Sequence, residues 1–128
     1  MENHSSNDFN EKYREKTRQF AVDLCRQFNS FQKGESARVV VRQLLRSGTS
    51  VAANFRAATR ARSLAEYYAK ICIVVEECDE TQFWFEILED ASLVKKDSTV
   101  NLHDRTTELL KVLTATKYKL KKRRYPTE

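Results

Sequence analysis

Residues 41–58, VRQLLRSGTSVAANFRAA, carry the pattern from which the fold is predicted. Apolar or small residues recur there at intervals of three and four: Val41, Leu44, Gly48, Val51, Phe55 and Ala58. This spacing is typical of a helix in a bundle, because it places every member on one face. The run Val39–Val41 alone resembles a strand. The helical period continues for several turns, so we predict a helix from about Ser36 to Ala61.

Three further stretches have the same helical period. The first begins near Asn10, a candidate N-cap, and its stripe is Tyr13, Phe20, Leu24, Phe28 and Phe31, with Gly34 just beyond its end. The third begins at a capping box formed by Ser63 and Glu66 and reaches about Ala91. The fourth is predicted to begin at Asn101 and carries Leu102, Leu109, Leu113 and Leu120.

Four long amphipathic segments with short connections predict an all-α protein, an antiparallel up-down-up-down four-helix bundle. The 128 residues include only two glycines and one proline, which disfavours a fold of many strands and turns. We expect three regions: a flexible N-terminal tail over 1–9, the bundle domain over 10–122 and a basic C-terminal tail over 123–128.

No apolar run is long enough to cross a bilayer, and the first residues lack a secretion signal. The three cysteines, Cys25, Cys72 and Cys78, form no Cys-x-x-Cys pair, and we expect them to be buried, inert thiols. We therefore expect a cytoplasmic protein with no membrane partner.

The net charge of +5 conceals a strong segregation along the chain. Residues 1–62 contain 12 basic and 6 acidic residues, a balance of +6. Residues 63–100 contain 3 and 9, a balance of −6, and residues 101–128 contain 8 and 3, a balance of +5. Such a pattern can join helices or subunits by complementary charge, and it can also leave a basic surface that attracts nucleic acid.

Five residues of the second helix, here called the arginine stripe, share one face: Arg38, Arg42, Arg46, Arg56 and Arg60. At about 100° per residue they fall within an arc of about 80°, opposite the apolar stripe. Arginine binds phosphate well. We predict that the stripe binds RNA or DNA together with the C-terminal cations Lys119, Lys121, Lys122, Arg123 and Arg124. The alternative is a solvated face, or pairing with acidic residues of the third helix in another subunit.

Two smaller groups have predicted structural roles. Asn54 is expected to be partly buried and to bond Ser50, one turn earlier, or a carboxylate of the third helix such as Glu76 or Glu77. A second apolar stripe on the third helix, Ile73, Trp84 and Ile87, is the expected oligomer interface, since a helix that is apolar on two sides has more than one partner.

Catalytic patterns are missing from the sequence. His4 and His103 are the two histidines, neither has Glu three residues before it, and no glycine-rich phosphate loop occurs. We therefore predict neither an enzyme, nor a cofactor, nor a metal site, and expect His103 to be a surface residue near a helix start. A weaker hypothesis is a carboxylate site using Glu76, Asp79 or Glu80.

Two segments resemble a known bacterial family: residues 47–63, SGTSVAANFRAATRARS, and residues 76–88, EECDETQFWFEIL, with Glu66-Tyr67 between them. The chain resembles the four helix bundle proteins, also called 23S rRNA-intervening sequence proteins. These include accessory variability determinant proteins of diversity-generating retroelements. Many relatives have Glu two residues after the Asn that matches Asn54, where this chain has Arg56.

The resemblance implies an antiparallel bundle that assembles into a ring-like homopentamer with a basic surface. It also implies a nucleic-acid partner and a reverse transcriptase for the retroelement relatives. We predict a non-enzymatic homo-oligomeric module that binds RNA or DNA. The alternative is a protein-binding scaffold or an accessory subunit, for example of a reverse transcriptase.

Overall fold

The computed structural model describes residues 4–30 and 34–124, with side chains from residue 7 onward. It contains four helices, α1 (His4–Gln27), α2 (Glu35–Thr59), α3 (Leu64–Asp90) and α4 (Lys96–Arg124). The described residues include no strand, which confirms the all-α prediction. None of the described helices is both long and apolar enough to cross a membrane.

Two helices begin earlier than predicted. α1 begins at His4, so residues 4–9, assigned above to a tail, are helical. Asn10 does not cap α1; its Oδ1 accepts a hydrogen bond of 2.7 Å from the Tyr67 hydroxyl of α3. α1 also ends earlier, at Gln27, while Phe31 lies outside the described residues. α4 begins at Lys96 and not at Asn101, with Asp97 in its first turn, where a negative charge suits the helix dipole.

The two ends of α3 are closed by different hydrogen bonds. At its start the Ser63 hydroxyl accepts the Glu66 N–H at 3.1 Å, as predicted, whereas Glu66 Oε1 accepts the N–H of Arg62. At its end the Leu93 N–H donates to the Leu88 carbonyl at 2.8 Å, and Ser92 has a positive φ of 56°. These are the features of a Schellman motif, and they let the chain reach α4 within five residues.

The predicted apolar stripes meet in one core. α1 packs on α2 and α4, and α3 packs on α2 and α4. The largest fully buried side chains come from all four helices: Phe20, Leu24, Leu44, Phe55, Ile71, Phe85, Leu88 and Leu113. Buried hydroxyls satisfy one another, since Thr81 donates to Ser47 at 2.9 Å across α2 and α3. This core fixes which faces of α2, α3 and α4 remain at the surface.

The cysteines are not all buried as predicted. Cys25 is exposed and Cys72 is half-buried, because both lie off the apolar stripe of their helices. Cys78 is buried, and burial raises the pKa of its thiol to about 12. Its Sγ donates to the Thr106 carbonyl of α4 at 3.6 Å, so this thiol is a packing residue.

Candidate nucleic-acid interface

All five residues of the arginine stripe are exposed on α2, and they differ in their partners. Arg38, Arg42, Arg56 and Arg60 are exposed, and Arg38 is paired with Glu35 of its own first turn. Arg42, Arg56 and Arg60 have no carboxylate partner within the described part of the chain. Exposed ion pairs such as Arg38–Glu35 contribute little to the free energy of unfolding. The stripe therefore presents three uncompensated guanidinium groups.

Arg46, the remaining stripe residue, faces α3. Its guanidinium binds Glu77 Oε1 at 3.2 Å and also binds Glu80, whose Oε2 accepts the Trp84 indole N–H at 3.1 Å. The hydrogen bond to Glu80 raises the pKa of Arg46, and the pKa of Glu80 is lowered first by Trp84 and then by Arg46. The expectation that the stripe lies opposite the apolar face holds for Arg46, whose side chain is 47% exposed, but its guanidinium pairs with carboxylates of α3 in the same protomer.

The C-terminal cations are placed on the last two turns of α4. All five are exposed: Lys119, Lys121, Lys122, Arg123 and Arg124. Lys122 Nζ lies 4.8 Å from the centroid of the Tyr118 ring, which is itself exposed. Arg123 and Arg124 are helical, whereas residues 125–128 lie outside the described residues. These cations form a second basic surface, on a helix that makes no contact with α2 in the described residues.

The polar pair predicted on α2 is present. Asn54 Nδ2 donates to the Ser50 hydroxyl at 2.9 Å and to the Ser50 carbonyl at 3.0 Å, which confirms that partner. Glu77 is half-buried and forms an ion pair with Arg46, and it does not bond Asn54. Glu76 is exposed and makes no hydrogen bond to any described residue.

The second apolar stripe of α3 is only partly at the surface. Ile73 is 36% exposed, but Trp84 and Ile87 are half-buried and pack against the protomer's own core. Phe83, which the stripe omitted, is more exposed at 47%. Its ring lies edge-on to Trp84, with centroids 4.8 Å apart. The available signal was that five of the six positions three, four and seven residues from Phe83 carry a carboxylate.

A polar cluster at the α3–α4 interface was missed. Glu89 accepts the Thr99 hydroxyl at 2.8 Å and lies 2.9 Å from His103 Nδ1. The His103 ring stacks on Phe85 with centroids 5.4 Å apart, so it is half-buried in the second turn of α4 and is not the surface residue we expected. Glu89 and His103 are fourteen positions apart on different helices, and no local spacing connects them.

The described residues hold no group of three or more His, Cys, Asp or Glu side chains that could bind a metal ion. Glu76, Asp79 and Glu80, proposed above as a weaker carboxylate site, do not form such a group because Glu80 is engaged by Arg46 and Trp84. The geometry on α2 and α4 is instead that of a cationic surface, which can bind anions without a cofactor.

Comparison with known proteins agrees with this fold. A solved structure from Bacteroides thetaiotaomicron, of a protein with unknown function from the S23 ribosomal protein family, superposes with a TM-score of 0.71. It is 31% identical and the match covers 80% of this chain and 95% of that one. No curated protein matches the chain. The model of the family named 23S rRNA-intervening sequence protein matches residues 10–115. The chain belongs to the 23S rRNA-intervening sequence protein family.

Proposed function

We propose that this protein is a non-enzymatic module that binds the phosphate backbone of RNA or DNA. The observation that carries the proposal is the set of uncompensated arginines on the outer face of α2: Arg42, Arg56 and Arg60. Guanidinium groups bind phosphate oxygens in a bidentate manner, and neutralised phosphates release counterions. We also propose a cytoplasmic location, which is consistent with a nucleic-acid partner.

The spacing of these arginines suits a nucleic-acid strand. Arg42 and Arg56 are fourteen positions apart, which on a helix is about 21 Å. A duplex rises about 3.4 Å per base pair, so the distance between these two arginines corresponds to about six base pairs. The stripe contains no aromatic side chain on which bases could stack. We therefore infer contact with phosphates rather than with bases.

We further infer that the helices run up-down-up-down. Contacts between the C-terminal part of one helix and the N-terminal part of α4 support this order. From α1 they are Gln27 with Ser98 and Asp23 with Arg105, and from α3 Glu89 with Thr99. In such an order the C-terminal ends of α2 and α4 lie at the same end of the bundle. Arg56, Arg60 and the C-terminal cations would then lie at the same end of the bundle, on two helices that share no contact among the described residues.

We also infer a ring-like homopentamer, as the resemblance implies. Ile73 supports a contact between copies, because it is an apolar side chain that is 36% exposed at the surface of α3. A ring would repeat the basic surface five times, and repeated weak contacts raise the overall affinity for a long polyanion.

The test is fluorescence anisotropy with a labelled single-stranded RNA and a labelled DNA duplex. The variant Arg42→Glu/Arg56→Glu/Arg60→Glu should weaken binding to the favoured probe at least about tenfold. The slope of the logarithm of the binding constant against the logarithm of the salt concentration should become less negative by about two to three. The side chains are exposed, so helicity by circular dichroism should be unchanged.

A matched control carries the same change of charge on another helix. Lys12→Glu/Lys16→Glu/Arg18→Glu replaces three exposed cations of α1. We expect this control to retain most of the affinity. Equal losses of affinity in both triple variants would mean that only the net charge of the protein matters. Full retention of affinity by the α2 variant would refute the proposal.

A further inference from the structure

The outer face of α3 carries an aromatic side chain surrounded by carboxylates. Residues three, four and seven positions apart share a helix face. Phe83 has an acidic residue at five of these positions: Glu76, Asp79, Glu80, Glu86 and Asp90. Four of them are exposed and unpaired in the described residues, while Glu80 turns to Arg46. We call Phe83 with Glu76, Asp79, Glu86 and Asp90 the Phe83 patch.

Trp84 holds the Phe83 ring in a defined position. The two rings meet edge to face, with centroids 4.8 Å apart and an interplanar angle of 69°. Trp84 is itself fixed by its hydrogen bond to Glu80, which Arg46 of α2 also binds. A half-exposed aromatic that is oriented before binding loses little conformational entropy when a partner covers it. The network around Arg46 therefore orients the aromatic at the centre of the patch.

The charges around Phe83 define the chemistry of a partner. No Lys or Arg occurs between Ile71 and Val94, so nucleic acid is repelled from this face. A lysine or arginine side chain is attracted twice, by the ring face through a cation–π contact and by the carboxylates around it. Aromatic side chains in a charged rim are typical anchors of protein interfaces.

We propose that the Phe83 patch binds a basic polypeptide segment of another protein, which lays a Lys or Arg side chain on the Phe83 ring. The choice of another protein over a second copy rests on the proposed function, which commits the free arginines of α2 to nucleic acid. The module would then hold a polyanion on α2 and a basic protein on α3 at the same time.

The experiment uses the full chain and a fluorescein-labelled nona-arginine peptide at about 0.15 M salt. Phe83→Ala should weaken peptide binding about fivefold, and Asp79→Asn/Glu86→Gln about tenfold. Tyr118→Ala is the matched aromatic control, since Tyr118 is 60% exposed but lies among cations. Glu15→Gln/Glu108→Gln is the charge control, because both carboxylates are exposed and unpaired. Both controls should bind the peptide as the unmodified chain does.

Three results would overturn the proposal. Unchanged binding by Phe83→Ala would leave only diffuse charge attraction, and equal losses in Glu15→Gln/Glu108→Gln would mean the same. A lower mass of Phe83→Ala in light scattering would make the patch a contact between copies. RNA and DNA binding measured on the same sample should be unaffected by Phe83→Ala, so failure of the peptide result is distinguishable from failure of the nucleic-acid proposal.

Discussion

Gly48 shows how one residue sets the distance between two helices. It lies buried in the middle of α2, and a Cβ built there would overlap Leu24 Cδ2 of α1. Leu24 is fully buried and cannot swing into solvent. The cost of overpacking in such a site exceeds the roughly 1 kcal/mol that alanine gains over glycine in a helix.

We predict that Gly48→Ala lowers the free energy of unfolding by about 1 kcal/mol. In a Leu24→Ala background the same change should raise it by about 1 kcal/mol, because the cavity accepts the new methyl group and the helix propensity gain remains. Urea denaturation of the four proteins measures both values. An effect of the same sign in both backgrounds would contradict the contact between Gly48 and Leu24.

At the scale of elements, the connection between α3 and α4 depends on an unusual backbone position. Ser92 is the only described residue other than glycine with a positive φ, and it makes the Schellman hydrogen bonds possible. The left-handed region costs an L-residue about 1 kcal/mol, whereas glycine enters it freely. The short connection thus stores a small strain that the packing of Leu93 against the core offsets.

We predict that Ser92→Gly raises the free energy of unfolding by about 0.5–1 kcal/mol, measured by urea denaturation. The matched control is Ser98→Gly, in the first turn of α4, where the Ser98 hydroxyl donates to the Lys95 carbonyl at 2.6 Å. Glycine there should destabilise by about 1 kcal/mol. A loss of stability in Ser92→Gly would mean that the hydroxyl, and not the backbone, decides this turn.

At the scale of the whole molecule, charge is distributed between surfaces rather than cancelled. α2 and the end of α4 present exposed cations, while the outer face of α3 presents exposed carboxylates. One ion-pair network, from Arg46 to Glu77 and Glu80, joins the two signs across α2 and α3. Surfaces of opposite charge on one small domain favour two different partners. They also steer the orientation in which each partner approaches the protein.

For the proposed ring, we predict a light-scattering mass of about five times the 15.0 kDa of one chain. Ile73→Glu should shift the mass toward one chain, since a charge in an apolar contact is costly, while helicity is retained. Val100→Glu is the control, because Val100 on α4 is also an exposed apolar side chain, at 45% against 36% for Ile73. A mass near 15.0 kDa for the unmodified chain would remove the pentamer.

The sequence by itself determined the four helices and their buried faces. Helix formation and burial follow a local period of 3.6 residues, so Val41, Leu44, Val51 and Phe55 could be assigned to the core from spacing alone. The Ser63 cap and the Asn54–Ser50 bond were predictable for the same reason, since their partners lie within one turn. Resemblance supplied the family, which the comparisons then confirmed.

Only the tertiary structure decided which charged and polar groups meet across helices. A helical period gives the direction of a side chain about its own axis but not the position or register of the neighbouring helix. The spacing therefore placed Arg46 on the exposed face but did not predict its pairing with Glu80 of the same protomer, and it gave no indication of the Glu89–His103 contact. The exposure of Phe83 was decided in the same way, because the core took the opposite face of α3 and left this ring among unpaired carboxylates.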